Sequence, residues 1–505
     1  MKLRHLGVGL AITLVVSAVG AVAGPIWKPR PVDASVTSET PLTAIGSDAV
    51  TTPVGTHQVV SELHTVRLTS TVTVTAQVRR PAGLDGPLPA VVFLHGAGTA
   101  THEGFATQAE QLASAGVVAV VPDKRMDTYT TAWRDYVGMA HDYQRTVEFT
   151  RSLPQVDPSR VGLYAESEGA YIAPVMAAED PDCAFVVLVS APVVPPRQQG
   201  AFATDSYLRN VKVPQPLFRV IPRALGARIP GGRVNYADFD PQPYQQRMTQ
   251  PVFVVFGTGD AAMPIVQGAR QVIEDMAVAG NDQYTVRYYE GANHGIKIGD
   301  ALAGTFADDL ARWIQGLPLT ATAPPRIAGD QPLQRHHADP LDSPAWFASG
   351  NAIIWTFAVP VGLLALGPAA HLVVAVVRRL RGQPRLPRTM PASTGRWLAA
   401  SALAVLGTWV VFVAYIRQVA DYAFNYRSNP AFTFGVYGLE WALALLTVLL
   451  LAGSLIRVTD SWDDGVRLSL PAALTAGGTI SGVFLLLVVA AYWSGFPDIF
   501  GGLSA

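Results

Sequence analysis

The chain has 505 residues, 15% of them charged and 50% apolar, with a formal net charge of −1 and a mean hydropathy of +0.26. A soluble globular chain carries about 25% charged residues, so this composition excludes a disordered chain, and the near-zero charge excludes a basic nucleic-acid-binding surface. The single cysteine, Cys183, excludes an intramolecular disulfide framework and a cysteine-rich zinc site.

Residues 1–24 begin with Lys2 and Arg4, continue as an apolar stretch and end in Ala21-Val22-Ala23 before Gly24. This is the pattern of a secretory signal peptide, and the stretch is also long enough to stay as an uncut anchor. Both readings export the rest of the chain. Residues 50–315 then read as a mostly parallel α/β domain. "HTVRLTSTVTVTAQVRR" (64–80) alternates with period two, as an antiparallel edge hairpin does. Short apolar runs at 90–96, 117–123, 160–167, 184–190, 251–257 and 284–290 read as strands buried on both faces. Amphipathic stretches such as Glu103–Ala115 and Arg134–Ser152 read as the helices between them.

Residues 193–248, rich in Pro and without a strong strand pattern, read as a lid inserted above the sheet. They carry Arg197, Arg209, Lys212, Arg219, Arg223, Arg228, Arg233 and Arg247 against Asp205, Asp238 and Asp240, a formal +5 interleaved with apolar side chains. Such a mixture suits anionic lipid headgroups and a lipid-like ester. The Pro-rich stretch 317–345 reads as a stiff linker.

Four apolar runs follow, at 352–377, 397–416, 435–456 and 468–493, each long enough to span a hydrocarbon layer. They predict an all-α transmembrane bundle. The loop after the first carries Arg378, Arg379, Arg381, Arg385, Arg388 and Arg396 without an acid and is placed in the cytoplasm. The residues before 352 then lie on the extracytoplasmic side, as the N-terminal segment also implies. Glu440, five residues into the third run, reads as an interfacial carboxylate that reaches water.

The chemistry is expected in "GLYAESEGAYIAP", where Ser167 lies at a strand-to-helix junction with small residues two positions away on either side. Such a turn exposes a serine hydroxyl at the carboxyl edge of a sheet, beside a helix N-terminus. A serine needs a base, and the base needs an orienting acid. Asp260 follows the next-to-last strand and His294 the last one, 34 residues on, which is one helix plus one strand. The competing reading makes Asp260 a helix cap and His294 a plain loop residue. Upstream, His95-Gly96-Ala97-Gly98 ends the first long strand, where backbone N–H groups can face a substrate oxyanion; His95 itself reads as structural.

The run "HGAG…VPDKR…DPSRVGLYAESEGAYIAP…FGTGD…GANHG" resembles the α/β-hydrolase superfamily, in particular its dienelactone-hydrolase and prolyl-oligopeptidase-like esterase branch. The resemblance covers residues 50–315 and implies Ser167 as nucleophile, Asp260 as acid, His294 as base, and Ala97 and Glu168 as oxyanion donors, with no cofactor and no metal. Departures are Ala165 and Glu166 before the serine, Ala170 after it, and "DKRMDT" without the expected Gly. Glu166, Glu168 and Glu290 also raise a glycosidase pair or a metal site, but residues at i and i+2 of a tight turn point apart and no His cluster accompanies them.

The expectation is therefore an exported, multi-pass, membrane-anchored serine hydrolase that cleaves carboxylic esters through an acyl-enzyme. A serine peptidase, an acyltransferase to a cell-envelope acceptor, and a transporter or sensor with an inactive hydrolase domain are the alternatives. The substrate is an ester or acyl compound, possibly lipid-like, and the other partner is the membrane; nucleic acid is excluded.

Overall fold

The computed structural model describes residues 3–33, 35–84, 86–228, 234–344, 349–384 and 389–500. Lys2, Arg233, Arg385, Arg388 and the last residue of the 317–345 stretch, named above, lie outside the described residues. In chain order the elements begin with α1 (Leu3–Val22), β1 (Val59–Arg67), β2 (Thr73–Pro81), β3 (Leu88–Leu94), α2 (Ala106–Ser114), β4 (Val118–Pro122) and α3 (Tyr136–Arg151). They continue with β5 (Val156–Glu166), α4 (Gly169–Glu179), β6 (Val186–Val189), α5 (Pro196–Val211), α6 (Val220–Leu225), α7 (Gln242–Gln245), β7 (Val252–Gly257), α8 (Ile265–Val278) and β8 (Tyr284–Tyr289). A small hairpin, β9 (Lys297–Ile298) and β10 (Ala301–Leu302), precedes α9 (Phe306–Gln315) and β11 (Ile327–Gly329). Four long helices close the chain: α10 (Gly350–Leu380), α11 (Ala392–Phe424), α12 (Pro430–Asp463) and α13 (Leu470–Tyr492).

These elements form two units. One comprises Pro29–Ala203 and Val234–Pro340; the other comprises Met1–Lys28, Thr204–Arg233 and Leu341–Ala505.

The first unit is built on a nine-stranded sheet of order β1-β2-β4-β3-β5-β6-β7-β8-β11. The β1–β2 and β2–β4 pairings are antiparallel, and all others are parallel. On one face Val91, Phe93, Tyr164, Val187, Val189, Phe253 and Val255 pack with Leu112 of α2 and with Leu310 and Trp313 of α9. On the other, Val92, Leu94, Leu163, Ala165, Val254 and Phe256 pack with Val147 of α3, Ile172 of α4 and Val272 of α8. Covering both faces is why the central strands read as unbroken apolar runs rather than alternating ones. The helices start on local signals too: Asp135 caps α3 by accepting the Gly138 N–H at 3.0 Å.

Two boundaries differ from the sequence reading. The stretch 317–345 is not a free linker up to Pro340, because β11 adds to the edge of β8 and Asp339 binds Arg30 at 2.7 Å. Three backbone pairings and a buried Ala338 outweigh the stiffness that its prolines suggested. The stretch 193–248 is not one element: residues 196–203 and 234–248 belong with the sheet, and 204–228 with the apolar helices.

Among the described residues the second unit contains five helices long and apolar enough to cross a membrane: α1 and α10 to α13. Small residues let their backbones approach: a Cβ on Gly482 would lie 2.7 Å from Pro360 O, and one on Gly478 2.4 Å from Leu363 O. The helix α1 packs in the same way, with Gly20 against Ala491, the Ser17 hydroxyl donating to Pro497 O at 2.8 Å, and Arg4 paired with Asp460 at 2.6 Å. The long helices run past the apolar runs into residues that the sequence reading left to loops, such as 417–424 and 457–463.

The basic residues of 204–228 differ in placement: Arg223 is buried, Arg209 and Arg219 are partly buried, and Lys212 and Arg228 are exposed. Arg223 is fully buried, and its guanidinium donates to the carbonyls of Gly20 (3.1 Å), Pro25 (3.4 Å) and Tyr492. Gly20 and Tyr492 lie in the last turns of α1 and α13, where carbonyls lack helical partners, so Arg223 caps two helix C-termini at once. Arg219 pairs with Asp498 at 2.7 Å and Arg209 with Asp205 at 2.6 Å. The expectation that these arginines face lipid headgroups therefore fails for Arg219 and Arg223, while Arg228 is exposed. Glu440 likewise does not reach water: it is fully buried, and neither carboxylate oxygen meets a donor among the described residues.

Candidate active site

All the chemistry-bearing loops of the sheet unit emerge at the carboxyl ends of its parallel strands, where βα turns leave room for a ligand. Ser167 follows β5 directly and takes the left-handed conformation, φ 55°. Its N–H donates to Val189 O of the neighbouring strand at 3.0 Å, and α4 begins two residues later. The tightness of the turn accounts for its small residues. A Cβ on Gly169 would stand 2.6 Å from Leu94 O, and Ala165 is completely enclosed. Ala in place of the usual Gly at 165 is thus accommodated.

Asp260 and His294 are brought together by contact between the loops after β7 and β8. Gly259 donates to Ala292 O at 2.9 Å, and a Cβ on Gly257 would lie 2.1 Å from that same oxygen. The Asp260 carboxylate accepts the Ala262 N–H at 2.8 Å and His294 Nδ1 at 2.8 Å. An ionised carboxylate only accepts, so Nδ1 carries the proton and Nε2 remains as the base. Ser190 Oγ fixes the loop by donating to His294 O at 2.7 Å. Burial disfavours the imidazolium, but the hydrogen bond and charge of Asp260, helped by Glu166, outweigh it and raise the His294 pKa above its ordinary value. Glu166 is itself raised, by burial, and its carboxyl lies within electrostatic reach of His294, Lys297 and Asp260.

The loop after β3 approaches the nucleophile from the other side: a Cβ on Gly96 would lie 3.4 Å from Ser167 Cβ. Among the described residues the N–H groups of Ala97 and Glu168 have no hydrogen-bond acceptor. His95 is buried with Nε2 2.7 Å from Pro122 O, and burial pushes its pKa down to about 4, consistent with a neutral structural role.

A buried polar cluster stands behind this loop. The Glu168 carboxylate accepts from Lys124 Nζ (2.9 Å), Tyr129 OH (3.0 Å), Arg134 and Tyr136 OH (3.3 Å). Sequence reasoning took Glu168 for its N–H, set its carboxylate aside with the rejected metal or glycosidase reading, and did not single out Lys124, Tyr129, Arg134 or Tyr136. The available signal was "VPDKR", whose Asp123 holds His102 at 2.7 Å and whose Arg125 reaches Asp142 on α3 at 3.3 Å.

A strand order of 1-2-4-3-5-6-7-8, a serine turn after β5, an acid after β7 and a histidine after β8 decide the architecture. The sheet unit has the α/β-hydrolase fold. Residues 141–298 of this α/β-hydrolase unit match the family model described as BAAT / acyl-CoA thioester hydrolase C terminal. Similar solved structures include a protein assigned as a dienelactone hydrolase from Klebsiella pneumoniae subsp. pneumoniae MGH 78578, 15% identical, covering 52% of this chain and 99% of that one at a TM-score of 0.37. They also include Thermogutta terrifontis esterase 2 phosphorylated by paraoxon (19%, 50% and 91%, 0.36) and Est1E from Butyrivibrio proteoclasticus (15%, 50% and 96%, 0.36). No curated protein matches the chain.

Proposed function

We propose that the protein is a membrane-anchored serine hydrolase acting on carboxylic esters. The observation that carries this reading is the 2.8 Å bond from His294 to a fully buried Asp260, at the strand edge where the strained Ser167 turn emerges. Ser167 Oγ attacks the acyl carbonyl while His294 Nε2 takes its proton. The Ala97 and Glu168 N–H groups bind the oxyanion. The alcohol leaves with a proton from His294, and water activated by the same imidazole then hydrolyses the acyl-enzyme. The family match spans Ser167, Asp260 and His294 and supports acyl compounds as the substrate class. It also favours a second reading, in which the acyl group arrives as a thioester or passes to an acceptor other than water. A fluorophosphonate probe should label the wild-type chain and leave Ser167→Ala unlabelled, with p-nitrophenyl esters and acyl thioesters as parallel substrates. Labelling of Ser167→Ala equal to wild type would overturn the assignment.

We further propose that the sheet unit is extracytoplasmic, on the strength of the arginines that end α10 and the acid-poor loop after it. The packing of α1 in the bundle supports a retained anchor rather than a cleaved signal. A cysteine at Gln383 should resist an impermeant thiol reagent in intact cells, and one at Ser428 should react. The reverse pattern would invert the topology.

A further inference from the structure

We propose that Lys124 is a positioning residue of this reaction, the one ion that holds both oxyanion donors in register; the proposal rests on the ester-hydrolase reading above. Its side chain is only 1% exposed, and Nζ donates to Gly96 O (2.5 Å), Gly98 O (3.2 Å) and Glu168 Oε2 (2.9 Å). An ammonium has three N–H donors, and here each has an acceptor. Two acceptors belong to the loop that presents Ala97, and the third to the residue whose own N–H is the second donor.

Peptide geometry converts this anchoring into aim. In a trans peptide the C=O and the following N–H point in opposite directions. Drawing Gly96 O inward to Lys124 therefore turns the Ala97 N–H outward, on a loop where a Cβ added at Gly96 would lie 3.4 Å from Ser167 Cβ. A second strap repeats the logic: Tyr129 OH accepts the Gly98 N–H at 2.9 Å and donates to Glu168 Oε2 at 3.0 Å. The charges also have a sense. Lys124 and Arg134 both pair with the one carboxylate of Glu168, so two cations meet one anion behind the loop. Fixed positive charge behind the oxyanion favours the negative charge that develops in the tetrahedral intermediate.

The test uses the full-length chain in detergent and two variants, Lys124→Met and Lys124→Met/Glu168→Gln, the second of which removes the orphaned carboxylate. Turnover of p-nitrophenyl acetate should fall roughly 100- to 1,000-fold in kcat with KM within about twofold. Alkylation by iodoacetamide of Ser167→Cys, which needs His294 but forms no oxyanion, should keep its rate when Lys124→Met is added. Tyr129→Phe leaves every charge in place and removes only the hydroxyl that ties the Gly98 N–H to Glu168, so it reports the same role should the others not fold, with a kcat loss of roughly tenfold. Wild-type kcat in the folded variants, or alkylation falling in step with kcat, would overturn the role of Lys124. Full activity in Ser167→Ala would instead overturn the hydrolase reading beneath it.

Discussion

Glu168 and Glu440 are both buried carboxylates, and the two units treat them in opposite ways. Glu168 is met by four donors from the β4–α3 loop and the first residue of α3, whereas Glu440 meets none among the described residues. The difference arises from the groups that each architecture leaves over. Turns at the ends of sheet strands carry polar side chains and unused N–H groups. A bundle of long helices spends its N–H donors on its own backbone. What the bundle has to spare is carbonyls at helix C-termini, and these hold a cation, Arg223, between the last turns of α1 and α13. Buried charge is tolerated in the helical unit where the charge is positive and at a helix end, and is costly where it is negative and in mid-helix.

The largest expected effect is at the proposed triad of the sheet unit. Ser167→Ala and His294→Ala should each abolish ester turnover, and Asp260→Asn should lower kcat by roughly 10⁴-fold, because the amide stabilises the wrong tautomer. The losses should not add, since the three act as one unit. An Asp260→Asn enzyme within about tenfold of wild type would mean that another acid orients His294.

Next come the two satisfied ions. Glu168→Ala strands Lys124 and Arg134 and should cost about 3–5 kcal/mol of stability, read as a lower denaturant midpoint. Arg223→Met removes the donor that three carbonyls share and should lower the thermal midpoint of the detergent-solubilised chain by several degrees. Arg228→Gln, at an exposed position, should leave it unchanged. A null result for Arg223→Met would remove the double cap from the account of the bundle. Glu440→Leu should do the reverse of Glu168→Ala and leave the melting temperature equal or higher, since no bond is lost and a desolvated carboxyl is removed. A drop in melting temperature would show that Glu440 is held by something the contrast omits.

The smallest effect concerns pH. A histidine pKa raised in the folded protein keeps the imidazolium to higher pH, so kcat/KM should begin to fall at a pH above about 6.5, the unperturbed value. Glu166→Gln removes one of the charges that favour the imidazolium, and the acid limb should move to lower pH by a fraction of a unit. A shift upward would place Glu166 in a different electrostatic role.

Much of the sheet unit is legible in the amino-acid sequence alone. Strands expected at 90–96, 117–123, 160–167, 184–190, 251–257 and 284–290 correspond to β3 to β8, because burial on both faces writes itself into the sequence as uninterrupted apolar runs. The places of Ser167, Asp260 and His294 after β5, β7 and β8 are legible for the same reason, since a βαβ repeat has a readable length. So are the apolar helices, each long enough to cross a bilayer. What only the tertiary structure decided is which distant group each charge meets. Lys124 and Glu168 are 44 positions apart, Arg223 and Tyr492 are 269 apart, and β11 joins a sheet that its prolines seemed to exclude. Periodicity is a property of neighbouring residues and survives in the sequence. The choice of an ion's partner is made across closed loops by packing, where burial forces every charge to find whichever donor or acceptor the fold has left unused.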